Sequence, residues 1–256
     1  MKTKLAAAAL LLASTSLSFA ADLATKAPIY APAPVWSWTG FYLGGHAGAG
    51  WGTTESTLTG GTGGVLPAGI AIAQNNRSGF LGGGQIGYNW QSGWAVFGVQ
   101  GDIAGMDVKG TAPCITFASC TAKSDWLATV TGRFGGVVAD RTLVYVKGGA
   151  AWMNTDQTLS APAGIISREA VSVSSNGTAF GWLLGLGAEY AFDHNWSAFI
   201  EYDYIDFDKK NIAVDFSSAL GAPAGAAVAN IDVKNKLSIA KVGLNYKFGG
   251  PVVARY

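Results

Sequence analysis

The chain is short of charge, histidine, cysteine and long apolar runs, and each shortage excludes something. Charged residues make up 13%, about half the share in an average globular domain. With 49% apolar residues, a soluble fold would be poorly solvated. A formal net charge of +1 offers no basic surface, which argues against nucleic acid as a partner. The two histidines, His46 and His194, stand far apart without ligand-like neighbours, so no metal site is expected. No run of about 18 apolar residues occurs, so no transmembrane helix is expected. Apolar residues at helical spacing are missing beyond the N-terminal segment, and period two dominates instead. The two cysteines, Cys114 and Cys120, lie close together in "TAPCITFASCTA". In an exported chain that spacing reads as one local disulfide, with two buried thiols as the alternative.

What the chain does have is glycine, 36 residues of 256, and aromatics at 12%. It opens "MKTKLAAAALLLASTSLSFAADL". Lys2 and Lys4 form a positive start, Leu5 to Ala13 an apolar stretch, and Ser18-Phe19-Ala20 places small residues where a signal peptidase reads. Residues 1–20 are thus expected to be a signal peptide cleaved after Ala20. Residues 21–37 form a Pro/Ala-rich N-terminal segment.

Residues 38–248 read as one domain of eight strands. "FGWLLGLGAEY" sets Phe180, Trp182, Leu184, Leu186, Ala188 and Tyr190 on one face against glycines, Leu183 and Glu189 on the other. The same alternation recurs in 38–51, 78–90, 94–106, 124–138, 142–152, 196–207 and 234–248. Connections are alternately short and long, the long ones being 52–77, 107–123, 153–176 and 207–233. Short turns on one side and long loops on the other are the layout of a transmembrane β-barrel. The expected fold is therefore all-β, an eight-stranded antiparallel transmembrane β-barrel with four long extracellular loops. Its bulky face points into lipid, and aromatics near the strand ends form girdles: Trp38, Phe41, Trp51, Trp90, Trp126, Trp152, Tyr246 and Phe248, with Trp182 also facing lipid. A soluble sandwich or lipocalin-like barrel would have to turn that face inward and show its glycines to water.

Several blocks carry a family likeness: "WTGFYLGGHAGAGWG", "FGVQGDIAG", "TGRFGGVVADRTLVYVKGGAAW", "GWLLGLGAEYAFDHNWSAFIEYDYIDF" and "VGLNYKFGG". Together they resemble the small outer-membrane β-barrel proteins of Alphaproteobacteria, surface antigens related to OmpA-type and opacity-type barrels. The resemblance covers nearly the whole chain after residue 20, loops excepted. It implies an outer-membrane location, a porin-like or envelope-structural role, and no enzymatic activity. It implies no required cofactor, although some members bind haem. Expected partners are outer-membrane lipid, lipopolysaccharide and the barrel-assembly machinery. That machinery reads a terminal aromatic. Here either Phe248 supplies it, with 249–256 a tail, or the strand extends to Tyr256.

By parity the lumen receives Asp102, Arg133, Lys147, Glu189, Glu201, Asp203 and Lys241, with Asp125 on the same face of its strand. Opposite charges in a narrow interior must pair, and an eight-stranded barrel is just wide enough for side chains to fill. Two readings stay open: a plugged interior, or a narrow pore lined by the same residues. Glu201 and Asp203 are neighbours on one face, but no nucleophile accompanies them, so no catalytic site is assigned. "GGGQIG" at 82–87 matches G-x-G-x-x-G but lies in a strand with no helix to receive a phosphate. His46 faces the lumen as a polar filler, and haem binding would fall to the long loops. The expected function is envelope structure with small-solute permeation. The alternative is a surface binding protein or adhesin whose loops hold haem or a macromolecule.

Overall fold

In lipid no water is available for an unpaired peptide group, so a strand protein must close its sheet. The computed structural model describes residues 36–62, 68–115, 118–162, 171–215, 217, 222–226 and 228–249, except for the side chains of 114, 115, 118, 159, 161, 171, 173 and 214. Residues 1–35 and 250–256, and with them the expected signal peptide and Tyr256, lie outside these.

Nine strands are formed: β1 (Gly40–Gly61), β2 (Ala71–Ser92), β3 (Ala95–Ile115), β4 (Ala118–Ala139), β5 (Thr142–Ala161), β6 (Val171–Ala191), β7 (Trp196–Phe207), β8 (Lys210–Asp215) and β9 (Val228–Lys247). Each pairs antiparallel with its neighbour, and β1 closes on β9 from Tyr42↔Lys247 to Gly61↔Ala229. The ring has eight walls, because β7 and β8 lie end to end along β9. Asp206 faces Lys236 and Lys210 faces Val233. Four steps on one side against three on the other make a one-residue bulge that splits the expected seventh strand. Above it no ladder joins β8 to β6 among the described residues. The last bond across that seam is Asp208 N–H to Phe180 O at 2.8 Å.

The strands run well past their expected ends. Most have 20–22 residues, roughly 70 Å of extended chain, about twice a tilted membrane crossing. Much of the expected long loops is therefore strand. The physical reason is the solvent. Above the lipid the outer face of the wall is wet and the buried inner face is filled largely by polar side chains such as Thr54, Asn75, Arg77, Thr155 and Asn235, so the apolar alternation that marks a strand fades while backbone pairing continues. Outward ion pairs mark the change. Lys109–Asp107 (3.2 Å), Lys123–Asp125 (2.6 Å) and Lys234–Asp206 (3.3 Å) all stand on the extracellular extensions. Exposed pairs of this kind add little stability.

Two readings need correction. Asp125 is outside the lumen. The ladders shift between Gly105/Val108 and between Lys123/Leu127, so an irregularity changes the inward parity from Ser124 to Leu127. Trp38 is no girdle residue. It is 2% exposed and packs inside the short-turn end with Val96, Leu143, Tyr145 and Ala191. Trp36 stacks edge-on against it at 5.6 Å. Residues 36–38 fold inward because the lumen there offers an apolar surface to bury indoles.

The glycines explain how so small a ring holds large side chains. Inward-facing Gly87 lies under the Tyr42 ring, Gly187 under Tyr145 and Gly243 under Phe199. A Cβ at Gly187 would stand 2.6 Å from Tyr145 Cζ. The G-x-G-x-x-G match thus ends on a glycine that makes room for an aromatic ring. On the other face Leu184, Leu186, Val146, Ile200 and Val242 are 55–61% exposed, as a lipid-facing band requires. Between Phe180 and Tyr190 the strand rises roughly 25 Å after tilt, the height of the apolar band in such barrels. Leu184→Arg or Val242→Arg should therefore cost about 2–4 kcal/mol on folding into bilayers, measured by urea titration in lipid vesicles. A neutral result would mean that these residues face the lumen.

Candidate functional site in the lumen

All seven charged residues placed inward by parity are buried, at 2–7% exposure. The ring brings them together in two linked clusters. In the first, nearer the short turns, Arg133 Nε donates to Asn89 Oδ1 at 2.9 Å and Nη2 to Glu189 Oε2 at 3.0 Å. Its guanidinium carbon lies 5.0 Å from the Tyr42 ring centre and 4.7 Å from that of Tyr145. Both contacts are within cation–π range. Glu189 Oε1 accepts from Ser197 Oγ (2.6 Å) and Asn245 Nδ2 (2.8 Å). Gln85 Nε2 donates to Asn245 Oδ1, Gln100 Nε2 to Gln85 Oε1, and Tyr42 OH to Gln100 Oε1.

The second cluster is ionic. Lys147 Nζ bonds Glu201 Oε1 and lies 3.0 Å from Asp203 Oδ2. Lys241 Nζ lies 2.9 Å from Glu201 Oε1, 3.0 Å from Asp102 Oδ2 and 3.5 Å from Asp203 Oδ2. His46 Nε2 is 2.8 Å from Asp102 Oδ2. Tyr145 OH donates to Glu201 Oε2 at 2.9 Å and so ties the two clusters together. A Cβ at Gly185 would collide with Asp203 Oδ1, so the glycine is what admits this carboxylate.

Charge cannot be left alone in such an interior. Each of the three cations touches a carboxylate, and each of the four carboxylates touches a cation. Glu201 and Asp203 are both held between lysines, an arrangement for neutralising charge and unlike the free base a catalyst needs.

Over this network lies an apolar layer. Thirteen side chains, among them Leu81, Met106, Leu127, Met153, Phe207, Leu237 and Ile239, form one cluster at 0–8% exposure. Among the described residues the lumen is thus stacked, from the short turns outward, as tryptophan plug, charged network and apolar layer.

Of the lipid-facing set, Phe41, Trp51, Trp90, Trp126, Trp182 and Phe248 are 38–51% exposed. Trp152 is half-covered by Phe180 at 5.6 Å, and Tyr246 by Trp196 and Phe248 at 5.2 and 5.0 Å. Phe248 N–H bonds Phe41 O at 2.8 Å, so the chain stays paired up to that aromatic. Cys120 is disulfide-bonded; the side chain of Cys114 lies outside the described residues. Among the described residues neither histidine is placed to ligate a haem. His46 is enclosed against Asp102, and His194 sits on the short β6–β7 turn, 3.2 Å from Asp193. There the His194 backbone N–H bonds the Asp193 carboxylate and holds its pKa below the ordinary value. Neither histidine belongs to a long-loop segment.

Arg77, 2% exposed, was hidden in an expected loop. The inward sequence Asn75, Arg77, Gly79, Leu81 continues the period-two pattern of β2 and was the signal available. The tyrosines and amides of the first cluster were visible as lumen-facing by parity, but nothing in their spacing says which of them bond.

An outward apolar wall around a salt-bridged, side-chain-filled interior defines an outer-membrane β-barrel. The family described as outer membrane protein beta-barrel domain matches residues 6–248, and the chain belongs to that family. The 31 kDa outer-membrane immunogenic protein of Brucella melitensis is 31% identical over 97% of this chain and 100% of its own. The 22 kDa outer membrane protein of Rhizobium leguminosarum is 29% identical over 76% of this chain and 75% of its own. Among solved structures, OprG from Pseudomonas aeruginosa superposes with a TM-score of 0.50 at 13% identity, covering 85% of this chain and 100% of OprG; that likeness concerns the fold alone.

Arg133→Lys keeps the charge but loses the planar fork that reaches Asn89 and Glu189 at once. It should lower stability by about 1.5–3 kcal/mol, read from urea unfolding in detergent, and an unchanged midpoint would show that the fork is dispensable.

Proposed function

We propose that the protein is a structural element of the outer membrane, a closed barrel that carries a tall β-walled surface beyond the lipid, and that it is neither an open pore nor an enzyme. The observation that supports this reading is the apolar layer across the lumen, thirteen side chains at 0–8% exposure above a fully paired ionic network. Passage of a hydrated solute would require breaking both. Its contacts on this reading are outer-membrane lipid and lipopolysaccharide around the girdles, and the assembly machinery at Phe248.

A second reading has an observation of its own. The strands overshoot a membrane crossing by about half their length, which presents a large surface to the outside. The Brucella relatives are named immunogenic, and surface display suits that name. A binding or adhesive role would reside in those extensions, with the barrel as scaffold.

Conductance of the refolded barrel in a planar bilayer separates structure from permeation. The closed-barrel reading expects no discrete steps from protein whose folding is verified by its heat-shifted gel mobility. Salt-dependent steps that change with Lys241→Gln would replace it with a pore.

A further inference from the structure

The wall of the barrel has one open place. β6 pairs with β5 along its whole length, up to Val171↔Ala161. On its other side it pairs with β7 only from Gly181 to Ala191. Above that level β8 pairs with β9, from Lys210↔Val233 to Asp215↔Val228, and no ladder joins β8 to β6 among the described residues. Two strand edges therefore bound a gap in the extracellular part of the wall. The bond from Asp208 N–H to Phe180 O fixes which peptide groups of β6 point into it. An antiparallel strand turns alternate residues to each neighbour, and the β5–β6 register runs without a shift. The N–H and C=O groups of Ser172, Ser174, Asn176 and Thr178 thus point into the gap, and no backbone bond reaches them from across it among the described residues. These four residues are exposed, as is Ser175 between them. At the foot of the gap Lys210 reaches over from β8, and a Cβ at Gly177 would collide with its Nζ. The ion pairs of the neighbouring extensions use Lys234 and Lys236, and none among the described residues includes Lys210.

An open strand edge is a template for another strand, and proteins guard such edges with proline, charge or a covering segment. The stretch Val171–Ala179, "VSVSSNGTA", carries neither proline nor charge. We propose that this edge is a docking site for an extended segment of another polypeptide, which adds as a strand beside β6 and sets a carboxylate side chain against Lys210 at the foot of the gap. The β6 edge points along the wall toward β8 and not outward. The wall of a second barrel standing alongside therefore cannot reach it, whereas a separate extended segment, with both of its own edges unpaired, can enter between β6 and β8. The side chains it meets on β6, Ser174, Ser175, Asn176 and Thr178, are small and polar, so its main chain supplies most of the affinity and its acid the orientation. This inference rests on the reading that the extensions serve binding, and it gives that reading a definite site. It is independent of whether the lumen conducts.

The test is amide hydrogen exchange of the refolded full barrel in detergent, read residue by residue by NMR. In the barrel alone the amides of Ser172, Ser174, Asn176 and Thr178 should exchange rapidly, while those of Val173, Ser175, Gly177 and Ala179, directed at β5, are protected. Protection of the first set without any addition would show that the chain pairs this edge itself, and overturns the proposal. The probe is a synthetic peptide of about six residues, the length of a common strand, alternating threonine and serine and ending in glutamate. It should slow exchange of the first set by the factor 1 + [peptide]/Kd, and the same peptide with every amide N-methylated should not. Ser174→Pro removes a donor that points into the gap and spares the ladder with β5, so it should fold and lose the effect. Lys210→Gln should weaken the glutamate peptide and leave a glutamine-ended one unchanged. No slowing by the peptide, or equal slowing by its methylated form, overturns the proposal. The methylated control needs no variant and decides alone should Ser174→Pro fail to fold. Slowing confined to other parts of the extensions would overturn this site and leave the binding reading standing.

Discussion

The structure depends on Lys147, an ammonium at 0% side-chain exposure between Glu201 and Asp203. A barrel that turns its apolar face to lipid has only its lumen in which to place polar side chains, and eight strands leave that lumen no room for bulk water. The seven charges of the two clusters therefore find their opposites on other walls. Lys147 on β5 meets two carboxylates on β7, and Lys241 on β9 joins these to Asp102 on β3. The ionic core crosses the ring where a soluble barrel would have an apolar one. Removing one partner leaves a buried charge uncompensated, which costs more than the pair contributes; the network therefore specifies which walls must meet.

Glycine and aromatic residues make the same solution sterically workable. Inward glycines at 87, 187 and 243 receive the rings of Tyr42, Tyr145 and Phe199. Two of those rings flank Arg133, and Tyr145 also bonds Glu201. The abundance of glycine is thus tied to the charges: without space beside the wall, the side chains that neutralise the lumen would not fit. The apolar layer above then separates this network from the extracellular half.

The membrane-crossing part was legible in the sequence because lipid on one face and a packed lumen on the other impose strict alternation. Leu184, Trp182 and Phe180 against Glu189 and Gly185 could be sorted by parity alone. Where the outer face is wet and the inner face is filled by polar side chains such as Asn75 and Arg77, that signal disappears, so the upper halves of β1 to β6 read as loops. An irregularity defeated parity at Asp125, and a tertiary contact defeated it at Trp38, whose sequence position at a strand end resembles that of a girdle residue. Which lysine meets which carboxylate was never readable, because it depends on the stagger of strands around a closed ring.

The central claim is that the lumen charges act as one coupled core. The most direct measurement is a double-mutant cycle on Lys147→Met and Glu201→Gln, by urea unfolding of the barrel in lipid vesicles. A coupled core predicts that the double variant recovers about 1 kcal/mol or more of the summed single losses, as groups in one network do. Losses that simply add, within about 0.3–0.5 kcal/mol, would contradict it and leave the charges as independent fillers.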